Sequence, residues 1–350
     1  MNEQQLYWVG MDVSEARFDV ALASPGQHAN PETIRRLPVG TFVRDPQGVK
    51  AFVQWLRKLL PGSKPLPIRG VMEATGIYSI QLAAMLNKQY PELCPSIANP
   101  QQTSAFRDSL GLRNKTDRLD ARALAFYGLS HQPDPYVPLS PAQAELRSLS
   151  RCRDALDEQR VAHENQLEQK PDSALSRRLL KQLVAKLNRD MQKLEKEMKR
   201  VIQSDADLHR DYVLMTSIPG VGFVTAATTL AELGDLRRFA SSRQIGATVG
   251  VTPSKNDSGK SSPPAHMSKK GNPRVRRILY MAALSASKYN PHLSLVYDRL
   301  LAGGKEPMVA LGALMRKLIV LMRAIVVSGR AYDPLWKTCP KKKPVAAKIT

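Results

Sequence analysis

Residues 6–23 read LYWVGMDVSEARFDVALA. An apolar run, LYWVGMDV, gives way to the polar SEAR and then to a second apolar run, FDVALA. This pattern predicts a β-hairpin that opens a sheet. Asp12 lies inside the first run, where a charge is costly unless something compensates it. Further on, residues 47–60 place Val49, Phe52, Val53, Trp55, Leu56, Leu59 and Leu60 at helical spacing and close on Pro61-Gly62. Residues 68–72 form a short apolar strand that ends at Glu73. A helix over 77–90, a strand over 94–98 and helices near 100–111 and 116–129 follow. Strands alternating with helices predict an α/β domain over residues 1–140, its sheet covered on both faces and closed by the Pro-rich HQPDPYVPLSP.

The pattern changes over 141–210 to long polar helices. Leu180, Leu183, Leu187, Met191, Leu194, Met198 and Val201 form one apolar seam, and Leu146, Leu149, Cys152 and Leu156 begin another. Pro171-Asp172 lies between them, so the segment reads as an antiparallel helical hairpin or coiled coil. A dimerisation arm and an intramolecular spacer both fit it. Residues 211–330 form a mainly helical unit, with a Gly-rich turn at 217–222, a polar loop at 252–272 and helices over 273–288, 291–302 and 307–328. Residues 331–350 read as a basic tail. The expected class is α/β followed by all-α.

The chain carries 52 Lys+Arg against 31 Asp+Glu, a formal charge of +21. An excess of this size calls for a polyanion, nucleic acid or an anionic membrane. Residues 201–350 hold 23 basic and 9 acidic side chains, a net of +14, whereas residues 1–140 are nearly balanced at 15 and 12. The polyanion-gripping surface is therefore expected in the C-terminal part. Three separated cysteines, Cys94, Cys152 and Cys339, offer neither a CxxC zinc pair nor a disulfide framework and fit a reducing cytoplasm. MNEQQLYWVGMD lacks the layout of a signal peptide, and the apolar stretch from Val309 to Val327 is broken by Arg316, Lys317 and Arg323. A cytoplasmic protein without a membrane partner is expected.

Asp117 and Asp120 stand three apart in KTDRLDARALA, on one face of a helix. Strand ends meet at one edge of an α/β sheet, so a helix crossing that edge would bring these two acids to Asp12 and Glu73. Four clustered carboxylates need a divalent cation, and Mg2+ takes such oxygen ligands. Two ions about 4 Å apart would serve phosphodiester chemistry. The competing reading is structural: Asp12 bonding a turn, Asp117 capping a helix, Lys115 and Arg118 as surface charges.

In SIPGVGFVTA, residues 217–226, Gly220 and Gly222 allow a helix-hairpin-helix turn whose amides approach a phosphate; a plain tight turn is the rival. Downstream, a Gly/Ser/Pro-rich loop and the start of the helix after it carry Lys255, Lys260, Lys269, Lys270, Arg274, Arg276 and Arg277, a set suited to a nucleic-acid backbone. His163, His266 and His292 show no ligand spacing.

The runs VGMDVSEARFDVAL, MEATGIY and RNKTDRLDARALA resemble the RuvC-like nuclease domain of the DEDD-type insertion-sequence transposases, the IS-one-ten and IS-eleven-eleven families, relatives of certain pilin-gene invertases. The resemblance spans roughly residues 5–330. It implies an RNase H-like fold with Asp12, Glu73, Asp117 and Asp120 as a tetrad for Mg2+ or Mn2+. Glu15 stands where the family usually has Lys. The resemblance also implies a loop serine that attacks the DNA phosphate and becomes covalently linked to it. The matching residue is Ser258 in DSGK, where the family often shows SSGG, with Ser254, Ser261 and Ser262 as neighbours. Further implications are donor and target DNA as substrates, a structured bridge RNA as guide, and a dimer or tetramer. A Mg2+-dependent hydrolytic junction nuclease and a non-catalytic nucleic-acid-binding protein are the alternatives.

Overall fold

The computed structural model describes residues 6–60, 68–74, 76–111, 116–254 and 266–335. The chain divides into two units, Met1–Pro138 and Leu139–Thr350.

The first unit is built on a five-stranded sheet. Its strands are β1 (Tyr7–Val13), β2 (Arg17–Ala23), β3 (Val39–Val43), β4 (Ile68–Glu73) and β5 (Ser96–Ala98), in the order β3-β2-β1-β4-β5. The first three run antiparallel; β4 lies parallel to β1 and β5 parallel to β4. Its helices are α1 (Pro31–Arg36), α2 (Pro46–Leu59), α3 (Ile77–Gln89), α4 (Pro100–Ser109) and α5 (Asp117–His131). This order is consistent with an RNase H-like domain.

Strand alternation decides what lies where. Val9, Met11, Val13, Phe18, Val20, Leu22 and Met72 share one core with α2 and α3. Trp8, Ala21, Ala23 and Val71 face α5 and α1 on the other side of the sheet. By the same alternation Asp12, Asp19 and Glu73 fall on the α5 side. That helix approaches unusually closely, because a Cβ on Gly10 would sit 2.0 Å from the Ala121 carbonyl oxygen. One on Gly128 would sit 2.4 Å from the Trp8 ring. Gly10 therefore meets residues 121–125 and Trp8 meets residue 128, so α5 runs antiparallel to β1. Its first turn lies over the C-terminal end of β1, where Asp12 stands.

The second unit is helical: α6 (Pro141–Glu168), α7 (Ala174–Ser204), α8 (Ala206–Thr216), α9 (Phe223–Leu233), α10 (Ser242–Val249), α11 (Pro273–Tyr289), α12 (Pro291–Ala302) and α13 (Pro307–Ser328). A small hairpin, β6 (Pro253–Ser254) with β7 (His266–Met267), precedes α11. Helices α6 and α7 form an antiparallel pair, as cross-links from Arg153 to Glu195 at 2.8 Å and from Arg200 to Glu145 at 3.3 Å require. The seam is graded. Met191, Met198 and Val201 are buried, while Leu175, Leu179 and Leu183, near the start of α7, are 44–54% exposed. Leu146, Met198, Val201 and Ile202 join one core with α8, α9, α11 and α13. Among the described residues no helix is long and apolar enough to cross a membrane.

Candidate active site

Thr116 caps α5 by accepting the Leu119 amide, which starts the helix at Asp117 and puts Asp117 and Asp120 in its first turn. Two acids there gain from the helix dipole. Asp12 is half-buried on β1, and Glu73 ends the neighbouring parallel strand β4. Asp19 stands directly across the hairpin from Asp12. Burial pushes the Asp12 carboxyl up to about 6, helped by the negative charges of Asp120, Asp117, Asp19 and Glu73 in that order. The charges of Asp120, Asp117, Asp19 and Glu73 thus all reach Asp12, which stands at the C-terminal end of β1.

Cationic side chains temper this concentration of charge. Arg107 of α4 donates to Asp120 at 3.1 Å, and Arg17 of β2 donates to Asp117 at 3.4 Å. Arg17 also lies 3.9 Å from Asp19, whose other oxygen accepts the Thr41 hydroxyl at 2.5 Å. Among the described residues no three acidic, histidine or cysteine side chains converge to hold one ion. The donor chemistry, carboxylate oxygens throughout, is of the kind a divalent cation takes. Hard oxygen ligands gathered around a carboxyl that resists ionisation are what Mg2+ or Mn2+ would relieve.

No sequence pattern singles out Asp19, Arg17 or Arg107 on its own. The hairpin register held the signal for Asp19: a turn closing on Val13 and Phe18 sets Asp12 opposite Asp19. Nothing in the sequence marks the arginines.

In the second unit, Ile218–Val221 turns between α8 and α9. Gly220 has φ +98°, and a Cβ there would lie 2.6–2.7 Å from Ala286 of α11, so its smallness serves packing inside the unit. Gly222 is exposed, has open space where a Cβ would go, and caps α9 without a side-chain bond. Of the basic residues, Lys269 and Lys270 are exposed. Arg276 donates to the carbonyls of Val249 and Lys269 at 3.1 and 3.0 Å. Arg274 and Arg277 both pair at 3.1 Å with Asp154 of α6, a carboxylate only 1% exposed, and Arg277 also pairs with Glu158 at 2.7 Å. These three arginines therefore hold acceptors of their own unit. Ser258, Lys255, Lys260, Ser261, Ser262, Lys115 and tail residues 336–350 lie outside the described residues.

A second buried acid was equally invisible to the sequence reading. Glu232 of α9 accepts from Arg151 at 2.7 Å and from Asn272 at 3.0 Å. Burial pushes its carboxyl up, but these hydrogen bonds outweigh burial and hold it below the ordinary range. Together Asp154 and Glu232 fasten the start of α11, just after the basic loop, to α6 and α9. Beside it runs a groove of about 2320 Å³ between α11, α12 and α13, rimmed by Lys269, Arg276, Arg277, Lys305, Arg316 and Lys317.

Two family models match the chain. One, a DEDD transposase model of the IS110 type, covers residues 9–175, and the other, "Transposase IS116/IS110/IS902 family", covers residues 212–298. A pilin gene-inverting protein of Moraxella bovis is 26% identical over 334 residues, 93% of this chain and 97% of the relative. A transposase for insertion sequence element IS1111A of Coxiella burnetii is 28% identical over 244 residues, 61% of this chain and 64% of the relative. A transposase for IS1328 of Yersinia enterocolitica is 27% identical over 215 residues, 53% and 62% of the two. Both matched segments carry the same family designation and span most of the two units, and the chain belongs to the IS110/IS116 family of DEDD transposases.

Proposed function

We propose that this transposase excises and integrates an insertion element by metal-dependent strand cleavage and exchange, with Asp12, Glu73, Asp117 and Asp120 as the metal-binding tetrad and Ser258 as nucleophile. The supporting observation is that Asp120, Asp117 and Glu73 all act on the half-buried Asp12, whose carboxyl burial and these charges raise. A bound Mg2+ or Mn2+ would supply Lewis-acid stabilisation of charge developing on phosphate oxygens. The four carboxylates would hold it.

The Ser258 hydroxyl attacks the DNA phosphorus. A new P–O bond forms as the strand's own P–O bond breaks, the hydroxyl proton passes to a base, and the leaving oxygen takes up a proton. The phosphoserine link conserves the bond energy for rejoining to a second strand. Because recombination must hold two duplexes together, the proposal includes a dimer or tetramer. It includes a structured guide RNA, following the family resemblance. The exposed Lys269 and Lys270, with Lys255 and Lys260, are the proposed backbone contacts, and the Gly222 amide end of α9 is a further one.

The test is a recombination assay on a donor–target pair with denaturing-gel detection of protein–DNA adducts. Asp12→Asn and Asp120→Asn should bind nucleic acid and fail to recombine. Ser258→Ala should lose both adduct and product. Cleavage that survives Ser258→Ala, with no adduct in the wild type, would point instead to a hydrolytic nuclease using water.

A further inference from the structure

We propose that Arg107 and Arg17 are resident counter-ions of the carboxylate site, which hold Asp120 and Asp117 until a divalent cation displaces them and thereby set the cation concentration at which the site fills. The inference rests on the tetrad being a metal site. Arg107 reaches Asp120 at 3.1 Å with the two side chains only 24% and 17% exposed, so the pair is little screened by solvent. Arg17 reaches Asp117 at 3.4 Å, but both side chains are 59% exposed, so this pair is the weaker. The guanidinium groups come from α4 and β2, and both act on the first turn of α5.

A carboxylate oxygen turned to a guanidinium is both electrostatically satisfied and misdirected for a shared ion. The arrangement limits repulsion between the acids that crowd Asp12. Filling the site then exchanges each guanidinium for the ion, and a residual positive charge near a dication opposes its binding. Removing one such charge should tighten binding about three- to tenfold at the semi-buried Arg107, by Coulomb's law with protein-like screening. The effect at Arg17 should be smaller, about two- to threefold.

Helix α4 does not depend on the ion pair for its place. Phe106 packs edge-on against Tyr127 at 5.7 Å and His131 at 5.3 Å, and the Tyr127 hydroxyl donates to Gln102 at 3.1 Å. Arg107→Gln should therefore fold.

The experiment titrates Mn2+ into the full-length protein and reads free Mn2+ by electron paramagnetic resonance, with thermal unfolding run in parallel. Arg107→Gln and Arg17→Gln should bind Mn2+ more tightly than wild type by the factors above, and Arg107→Lys, which keeps the charge, should stay close to wild type. A purely structural arginine could only weaken binding when lost. Unchanged or weaker binding by folded Arg107→Gln overturns the proposal; if that variant does not fold, unchanged or weaker binding by Arg17→Gln overturns it. Equal Mn2+ binding by wild type and Asp12→Asn is a different result: it removes the tetrad as the metal site, and the counter-ion role with it.

Discussion

Asp12 and Asp19 face each other across the β1–β2 hairpin, on the side of the sheet that receives the first turn of α5. Two like charges opposed across antiparallel strands repel each other. The Thr41 hydroxyl and Arg17 hold Asp19, and its charge adds to burial, Asp120 and Asp117 in raising the Asp12 carboxyl.

Burial of Asp12, helped by the charges of the surrounding acids, sets a pH dependence for the protein kept free of divalent cations. The folded-state carboxyl of Asp12 is raised from 3.8 to about 6, so between those values the folded chain binds more protons than the unfolded one. Stability must then fall as pH rises through that window and level off above it. With Asp12 only half-buried, the loss is on the order of 1–2 kcal/mol. Urea unfolding in EDTA should find Asp12→Asn more stable than wild type by about that amount at pH 7. The two should converge near pH 4.

Gly10 should tolerate no side chain. In Gly10→Ala the new methyl would lie 2.0 Å from the Ala121 carbonyl and 2.2 Å from the Ala125 amide, both backbone atoms of a packed helix. Chemical denaturation should show a loss of at least about 3 kcal/mol, the upper range for overpacking.

Asp154→Ala would leave Arg274 and Arg277 without the buried carboxylate that holds both. Breaking a buried pair from one side costs about 3–5 kcal/mol. The second unit should lose stability on that scale in thermal unfolding, whereas Lys270→Gln should change it by less than about 0.5 kcal/mol.

Salt separates the two kinds of basic residue. If Lys269 and Lys270 contact duplex phosphates, the double Lys→Gln variant should lower the slope of log affinity against log salt by about 1.8, at about 0.9 per phosphate. Fluorescence anisotropy on a duplex at several salt concentrations reads this directly. An unchanged slope would remove these lysines from the interface.

The acids that were legible in the sequence are those that interrupt a regular pattern. Asp12 breaks an apolar run, Glu73 ends one, and Asp117 and Asp120 keep helical spacing behind a capping threonine. Asp19 was legible in principle, since strand alternation and a short turn already pair it with Asp12, but one charge near a strand end attracts no notice. Arg17 and Arg107 were not legible: an arginine on an exposed segment has no periodicity, and Arg17 finds Asp117 100 residues away. Asp154 was hidden for another reason. It sits in a polar helix where every charge looks solvated, yet it is 1% exposed and takes the two arginines that the sequence assigns to phosphate.

The account turns on one edge of the first unit's sheet. Anomalous diffraction from crystals of the protein grown with Mn2+ measures it most directly. A manganese peak within direct ligand distance of Asp12 and at least two of Glu73, Asp117 and Asp120, with Arg107 withdrawn from Asp120, is the predicted result. Manganese bound elsewhere, with Asp12 unligated and Arg107 still on Asp120, would contradict it.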